Sequence, residues 1–463
     1  MLKQIAYLSL GFALAGCAGG ASINASKNFD QDYQNGLYKN AAISVEQDLG
    51  LVEEAGFKLV DVKAGNILFH LNAGESWRLS GNLERSRAHF DGVETLLKVE
   101  DLEGLGTKAG ETVGSVLVND KVRSYNPAAS ERILTNFYQS LSFWAENDKN
   151  NALVEFKKAD ERTRLALQAY RKEINKAEQE ARAEGQAVAQ SINNGYASNQ
   201  IGQRFPEINQ WKVYDDFVNP SVAYLNALLL STGQGADVET AKGLMKRVRG
   251  MIGKNPVIDS DFNDLMRNNS VTANGDYVWV VAETGLGPVL EEKKFDLPWP
   301  TSGTAIVVSM ALPKLVERNV DVDMSGIALN NKPVRLYPLS DMSVVMQTEF
   351  KKRWPATVSR AVVSTVTKAV IQKQAADENP LLGLAATIYS VATTGADTRS
   401  WKAVPKRWRV AKVKLNGSAS MSLPYGLEGQ AVDVNIPAGK STVVYIKQPS
   451  INAKPYVALL PME

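Results

Sequence analysis

Cysteine occurs once in this chain of 463 residues and histidine twice. A lone cysteine excludes an internal disulfide, so burial alone must hold the fold together. Two histidines with no cysteine beside them do not make up the ligand set of a structural metal site. Lys and Arg number 52 against 50 Asp and Glu, so no excess of one sign marks a nucleic-acid-binding surface. After the first sixteen residues no apolar run reaches the ~20 residues needed to span a bilayer. The longest, residues 381–391 (LLGLAATIYSV), has the length of a buried helix, with contact to lipid as the other reading.

What is there begins with the placement of that cysteine. Met1 and Lys3 open the chain, an apolar run fills residues 5–15, and Leu14-Ala15-Gly16-Cys17 follows. This is the n-region, h-region and small-residue cleavage site of a secretory signal peptide. Leu-Ala-Gly-Cys resembles the lipobox of bacterial lipoproteins, in which the signal is cut before the cysteine and both its thiol and its new amine are acylated. The resemblance implies a signal peptide over residues 1–16, lipidation at Cys17, and a linker up to residue 26. Two or more acyl chains, at ~0.8 kcal/mol per buried CH₂, give durable anchoring. Ala18 stands where an aspartate signals retention in the inner membrane, so the expected site is the periplasm-facing leaflet of the outer membrane.

The mature chain is too long for one core and suits two or three domains. Residues 27–253 read as helix, with apolar residues recurring at three and four. From about residue 274 strand-like runs appear: Tyr277-Val278-Trp279-Val280-Val281, Ala305-Ile306-Val307-Val308 and Thr442-Val443-Val444-Tyr445-Ile446. Residues 409–423 hold two alternating runs around Asn416-Gly417, a strong hairpin signal. Two helical patterns, 356–373 and 381–393, lie among the strands, the first with Val358, Val362, Val366 and Val370 on one face. Asn255-Pro256 and Asn268-Asn269 place a boundary between residues 254 and 274.

The first part carries a degraded repeat. The tetratricopeptide pattern sets a small residue at the inter-helix turn, an aromatic two later, then alanine, then a bulky residue. Gly36, Tyr38, Ala41 and Val45 fit it, and Gly81, Leu83, Ser86 and Phe90 fit with serine for alanine. Asn147, Lys149, Ala152 and Phe156 follow, and Ala236, Val238, Ala241 and Met245 form a weaker match. Inserts explain part of the unequal offsets: a glycine-rich stretch at 104–114, and a charged, alanine-rich stretch at 150–191 that reads as one long helix, turned back by residues 195–206. The expected fold class is α+β: a tetratricopeptide-like helical-hairpin domain over 27–255, then a mixed α/β domain with antiparallel strands over 274–463.

Three stretches carry a family resemblance. Ser130-Glu131-Arg132-Ile133-Leu134 leads through Tyr138 and Leu141 to Ala152-Leu153-Val154-Glu155. Asn219-Pro220 leads through Tyr224-Leu225 to Leu230, and Gly395-Ala396-Asp397-Thr398-Arg399-Ser400-Trp401 ends with Pro405. Together they resemble a family of uncharacterised bacterial outer-membrane lipoproteins with tetratricopeptide-like helices. The resemblance implies a fold and a location and supplies no activity or catalytic residue.

Candidate chemistry is sparse. Ala438-Gly439-Lys440-Ser441-Thr442 looks like the end of a phosphate-binding loop, but Val434 stands where its first glycine belongs and a strand pattern follows. Gly285-Leu286-Gly287 follows a strand, but Pro288 and Leu290 deny it a dinucleotide fingerprint, so it reads as a turn. No nucleotide, cofactor or metal is expected. His70 and His89 both fall in the second helical hairpin and read as core residues. Glu291-Glu292 and the carboxylates of residues 150–184 read as a solvated face. Asp397, Arg399 and Trp401 form a structural staple or an interface cluster, since Arg and Trp are favoured interface anchors. The functional expectation is a non-enzymatic, lipid-anchored scaffold that binds envelope proteins through its helical surface. The rivals are an enzyme or enzyme regulator acting on peptidoglycan, marked by converging carboxylates or a histidine dyad in the C-terminal half, and a structural subunit of an export or assembly complex.

Overall fold

The computed structural model describes residues 28–51, 62–103, 125–183, 196–214, 219–299, 306–378, 395–426 and 429–463. Cys17, the stretches 104–114 and 381–393, and the side chain of Val370 lie outside this part.

Helices come first, in hairpins. Residues 28–34 (α1) turn at Gly36 into α2, Tyr38–Asp48. Ile67–Leu79 (α3) turns at Gly81 into α4, Leu83–Glu103. Ala129–Ala145 (α5) turns at Asn147 into α6, Lys149–Ala183. Short helices Tyr196–Arg204 (α7) and Glu207–Gln210 (α8) precede a fourth hairpin, Pro220–Leu230 (α9) with Ala236–Ile252 (α10). Gly36, Gly81, Asn147 and Gly235 all take positive φ, the left-handed conformation that lets the chain reverse between helices. At Gly36 a side chain would also strike the backbone of Lys454, 2.8 Å from where its Cβ would sit. Ala41, Ser86, Ala152 and Ala241 are fully buried, small residues that let paired helices approach.

A further helix, Pro256–Asn268 (α11), fills the expected boundary. The breakers seen there are its caps. Asn255 accepts from the backbone N–H of Val257 (3.0 Å) and Ile258 (3.3 Å), Pro256 follows at the first helical position, and Asn269 closes the helix at φ +57°. Residues 195–206, expected as a turn, hold α7 instead, because Ile201 and Phe205 bury against the strands described next.

Among the described residues the strands form three sheets. A five-stranded sheet runs Tyr456–Pro461 (β11), Thr442–Gln448 (β10), Tyr277–Thr284 (β1), Arg407–Lys414 (β7) and Tyr337–Asp341 (β6). Only β1 and β10 pair parallel. The second is a hairpin of Val289–Trp299 (β2) with Ile306–Val316 (β3), and the third orders Lys332–Pro333 (β5), Ala328–Leu329 (β4), Ala419–Tyr425 (β8) and Gln430–Ile436 (β9).

Strand alternation distributes the core. Trp279 and Val281 of β1 join Trp408, Val443, Tyr445 and Leu460 in packing against the helices. Val278, Val280 and Ala282 point the other way, onto Met421, Leu423 and Ile436 of the four-stranded sheet. The central sheet is therefore the middle of three layers, which is why β1 reads as a continuous apolar run. One apolar core joins residues of these four helical hairpins to all five strands of this sheet, so it crosses the change in periodicity near residue 255.

Two further expectations need correction. The runs flanking Asn416-Gly417 are strands but not a hairpin: β7 pairs with β1 and β6, whereas β8 pairs with β4 and β9. Gly417, at φ +115°, carries the chain from one sheet to the other. Leu415 and Ala419 on either side bury in the core between the two sheets, and that burial outweighs local turn propensity. The helix expected from residue 356 starts at Met342 and runs to Glu378 (α12), through Pro355. Packing of Phe350, Trp354 and Phe205, with ring centroids 5.4 and 4.9 Å apart, holds the helix through Pro355.

Candidate functional site

The loop of residues 395–405 brings the sequence-derived trio to the edge of the helix–sheet core. Arg399 forks onto Asp397, Nε to Oδ1 at 2.8 Å and Nη2 to Oδ2 at 2.7 Å, and lies 5.5 Å from the Tyr125 ring. About a third of each side chain remains open to solvent (28% and 33%), so the pair is screened and contributes at most about 1 kcal/mol. Trp401 differs. It is buried, edge-on to Phe90 and Tyr138 with centroids at 6.2 and 5.7 Å, and its backbone N–H donates to Glu131 Oε1 at 2.6 Å. Its indole N–H has no acceptor among the described residues. The trio is thus a surface ion pair beside a core anchor.

Behind Trp401 sits a centre that the sequence reading missed. Glu75 and Arg78 of α3 meet Glu283 of β1 and Lys447 of β10 in the seam between helices and sheet, all four essentially inaccessible. The Lys447 ammonium donates to Glu75 Oε1 at 2.6 Å, contacts Glu283 Oε1 at 2.5 Å, and reaches the Tyr138 hydroxyl at 3.0 Å and the Ala403 carbonyl at 3.2 Å. Arg78 grips Glu75 with Nε–Oε2 at 2.7 Å and Nη2–Oε1 at 2.8 Å, its guanidinium 4.6 Å from the Tyr138 ring. Glu283 accepts from the Tyr138 hydroxyl at 2.7 Å and from the Tyr445 hydroxyl.

Environment separates the two carboxyls. Burial raises Glu283, and Lys447 and Arg78 do not overcome it. Burial acts on Glu75 too, but Arg78 and Lys447 outweigh it and hold Glu75 below its usual range. A signal was present in the sequence, since Glu283 and Lys447 interrupt apolar strands and are register partners across β1 and β10. Glu75 and Glu283 converge here, but Glu75 comes from helix α3 and the pair is sealed between layers, so this is not a carboxylate cleft of the C-terminal half, which the enzyme reading requires.

The two histidines meet one another. His70 Nδ1 lies 2.8 Å from His89 Nδ1, and His89 Nε2 lies 2.9 Å from Glu46 Oε1. Glu46, on α2, also accepts from Trp77 Nε1 at 2.8 Å and from Arg85 Nε and Nη2 at 2.7 and 2.5 Å. With His89 donating from Nε2 to this carboxylate, its Nδ1 accepts the N–H of His70 Nδ1, so the chain is satisfied when both rings are neutral. Burial, aided by His89, pushes the His70 pKa down to about 3. The unfolded chain takes up this proton near the ordinary 6.5, so stability is lost as pH falls from there toward 3, by at most about 1.4 kcal/mol per unit. Denaturant unfolding at pH 7 and pH 5 is expected to show about 2 kcal/mol more acid sensitivity in the native protein than in His70→Gln.

Glu161, Glu178 and Glu291 are exposed, as a solvated face requires, but other carboxylates of those stretches, and several elsewhere, are structural. Glu155 is buried and accepts from Asn136 Nδ2 at 2.7 Å. Glu173 of α6 accepts from Arg353 at 3.1 Å and Arg360 at 2.8 Å, clamping α12. Glu292 accepts the Ala396 N–H at 2.7 Å. Glu349 of α12 caps α5 from outside, accepting from the Ala129 N–H at 2.7 Å, the Ser130 hydroxyl at 2.6 Å and the Tyr170 hydroxyl at 2.6 Å. Asp261 holds Tyr224 at 2.6 Å, Trp279 at 3.0 Å and Lys412 at 2.8 Å between α9, α11 and the sheet. Burial raises Asp261 and Glu131 alike.

Residues 438–442 form a turn with Gly439 at φ +77°, entering strand β10. Gly285-Leu286-Gly287 turns out of β1, its amides donating to Gln448, Val320 and Val404. Among the described residues no three His, Cys, Asp or Glu side chains are placed to share a metal ion, and no helix is long and apolar enough to cross a membrane. A shallow polar depression lies at the α3–α4 turn, lined by Ser80, Asn82, Glu84 and the ion pair of Arg87 with Glu146. No protein-family model, curated protein or solved structure matches this chain.

Proposed function

We propose that this chain is a lipoprotein, held by acyl chains on Cys17 to the periplasmic face of the outer membrane, that serves as a non-enzymatic binding scaffold for envelope proteins. The observation that carries this reading is the chain's only cysteine at the end of Leu14-Ala15-Gly16-Cys17 behind an apolar run. Support for a scaffold comes from the helical hairpins. Their turns fall at Gly36, Gly81, Asn147 and Gly235, and a buried small residue sits on the second helix of each. We read them as diverged tetratricopeptide-like units, whose stacked helices offer surfaces for protein segments. Interior carboxylates support the same reading: Glu75 ties α3 to the sheet, Glu173 ties α6 to α12, and Glu349 ties α12 to α5.

Cys17→Ser is expected to abolish incorporation of a radiolabelled or clickable fatty acid and to shift the protein from the outer-membrane to the soluble fraction. An unchanged membrane partition in that variant overturns the anchor. Crosslinking in intact envelopes, with the partner identified by mass spectrometry, tests the scaffold; an assembly built only of copies of this chain would favour a structural subunit.

A further inference from the structure

We propose that Lys447 and Glu283 join covalently, the Lys447 amine condensing with the Glu283 side-chain carboxyl to form an isopeptide bond across strands β1 and β10. The geometry supplies each part of the reaction. Glu283 and Lys447 are partners in adjacent parallel strands, and the amine rests 2.5 Å from Glu283 Oε1 in a site closed to bulk water. Holding nucleophile and electrophile in contact replaces a bimolecular encounter with an intramolecular step. A second carboxylate, Glu75, touches the same nitrogen at 2.6 Å. The hydroxyls of Tyr138 and Tyr445 donate to the two oxygens of Glu283, where charge develops as its carbon is attacked.

The two carboxyls divide the work. Burial raises Glu283, favouring the neutral acid that an amine can attack, while Arg78 helps to keep Glu75 ionised as a base. Lys447 first passes one proton along its contact to Glu283, leaving a free amine beside a carboxylic acid. The Nζ lone pair attacks Cδ of Glu283 as the carbonyl π pair moves onto oxygen, steadied by the tyrosine hydroxyl. Glu75 Oε1 takes a second proton from Nζ and returns it to the departing hydroxyl. The C–O bond breaks, the Nζ–Cδ bond forms, and one water leaves. Nothing is oxidised or reduced, and Glu75 ends as it began.

The product also suits the interior better. Four buried charges become two, because an amide replaces the ammonium and one carboxylate. Glu75 and Arg78 remain as a forked, self-balancing pair. The bond would tie the first strand of the described sheet to the one beside it near the C-terminus, locking the layer on which the helices rest.

The test is the mass of the full chain carrying Cys17→Ser, measured after complete denaturation so that acyl chains do not obscure it. The expected value is lighter than the sequence by one water. A tryptic digest should contain a branched peptide joining Glu283 to Lys447, with cleavage after Lys447 blocked. A mass equal to that of the sequence, with Glu283 and Lys447 in separate linear peptides, overturns the proposal. In Glu75→Gln, which keeps the shape but removes the base, the water is expected to be retained and the branched peptide to vanish. A folded Glu75→Gln that still forms the bond refutes the role of Glu75. If that variant does not fold, the mass of the parent chain decides.

Discussion

Arg78→Ala is expected to destabilise the protein by about 3–5 kcal/mol in denaturant unfolding, among the largest effects of any single change. Arg78 is 1% exposed and its partner Glu75 is fully buried, so truncation strands a carboxylate where water cannot reach it. Lys447 cannot replace the lost fork: as an ammonium it also serves Glu283, and once joined to Glu283 it carries no charge. Part of the loss is packing, since the guanidinium also lies over Tyr138 at 4.6 Å and Tyr456 at 5.1 Å. Arg78→Met separates the contributions, keeping an apolar stem while removing the charge. A loss in Arg78→Met close to that in Arg78→Ala would show that the stranded charge dominates. The double variant Glu75→Gln with Arg78→Met removes both partners and is expected to recover much of the difference. An Arg78→Ala variant within 1 kcal/mol of the parent would refute the buried network as a stabilising joint.

Trp401→Ala is expected to cost about 3–5 kcal/mol, against less than about 1 kcal/mol for Arg399→Ala. The contrast tests how the loop of residues 395–405 is attached. Trp401 fills space between Phe90 and Tyr138 and has no hydrogen bond at its indole nitrogen among the described residues, so its contribution is volume and ring contact. Trp401→Phe, which retains most of that volume, is expected to recover more than half the loss. Arg399 and Asp397 satisfy one another in partial contact with solvent, and removing either leaves a group that water can solvate. Equal losses from Arg399→Ala and Trp401→Ala in thermal unfolding would show that the pair is part of the core.

Periodicity made most of the secondary structure legible. The four helix reversals were readable from small residues and spacing, because a left-handed turn and a close helix approach each restrict residue type locally. Tyr277, Thr442 and their neighbours were readable as strands because an apolar run of that length with β-branched residues suits a sheet buried on both faces. What failed depended on partners distant in the chain. Asn416-Gly417 meets the local requirement of a tight turn, yet β7 pairs along its whole length with β1, and β8 pairs with β4 and β9. Asn255 and Asn269 look like breaks until the helix between them is seen to bury Val257, Ile258 and Leu265.

The buried centre shows the same limit at the scale of chemistry. Glu75 and Arg78 lie one helical turn apart, an ordinary surface spacing, and their inaccessibility follows from a sheet formed some two hundred residues later. Glu283 and Lys447 were conspicuous as charges in apolar strands, but their pairing depends on the parallel register of β1 with β10. His70 and His89 were placed in one hairpin by periodicity; that their Nδ1 atoms meet, and that Glu46 orients them, was decided by the packing of α2 against both helices. The sequence by itself determined the helix–strand order, the helix reversals and the solitary Cys17 on which the proposed anchor rests, because each depends on neighbours a few residues away. Tertiary structure alone decided which charges lie in the dry seam and which stay in water, because desolvation depends on what the rest of the chain places around them.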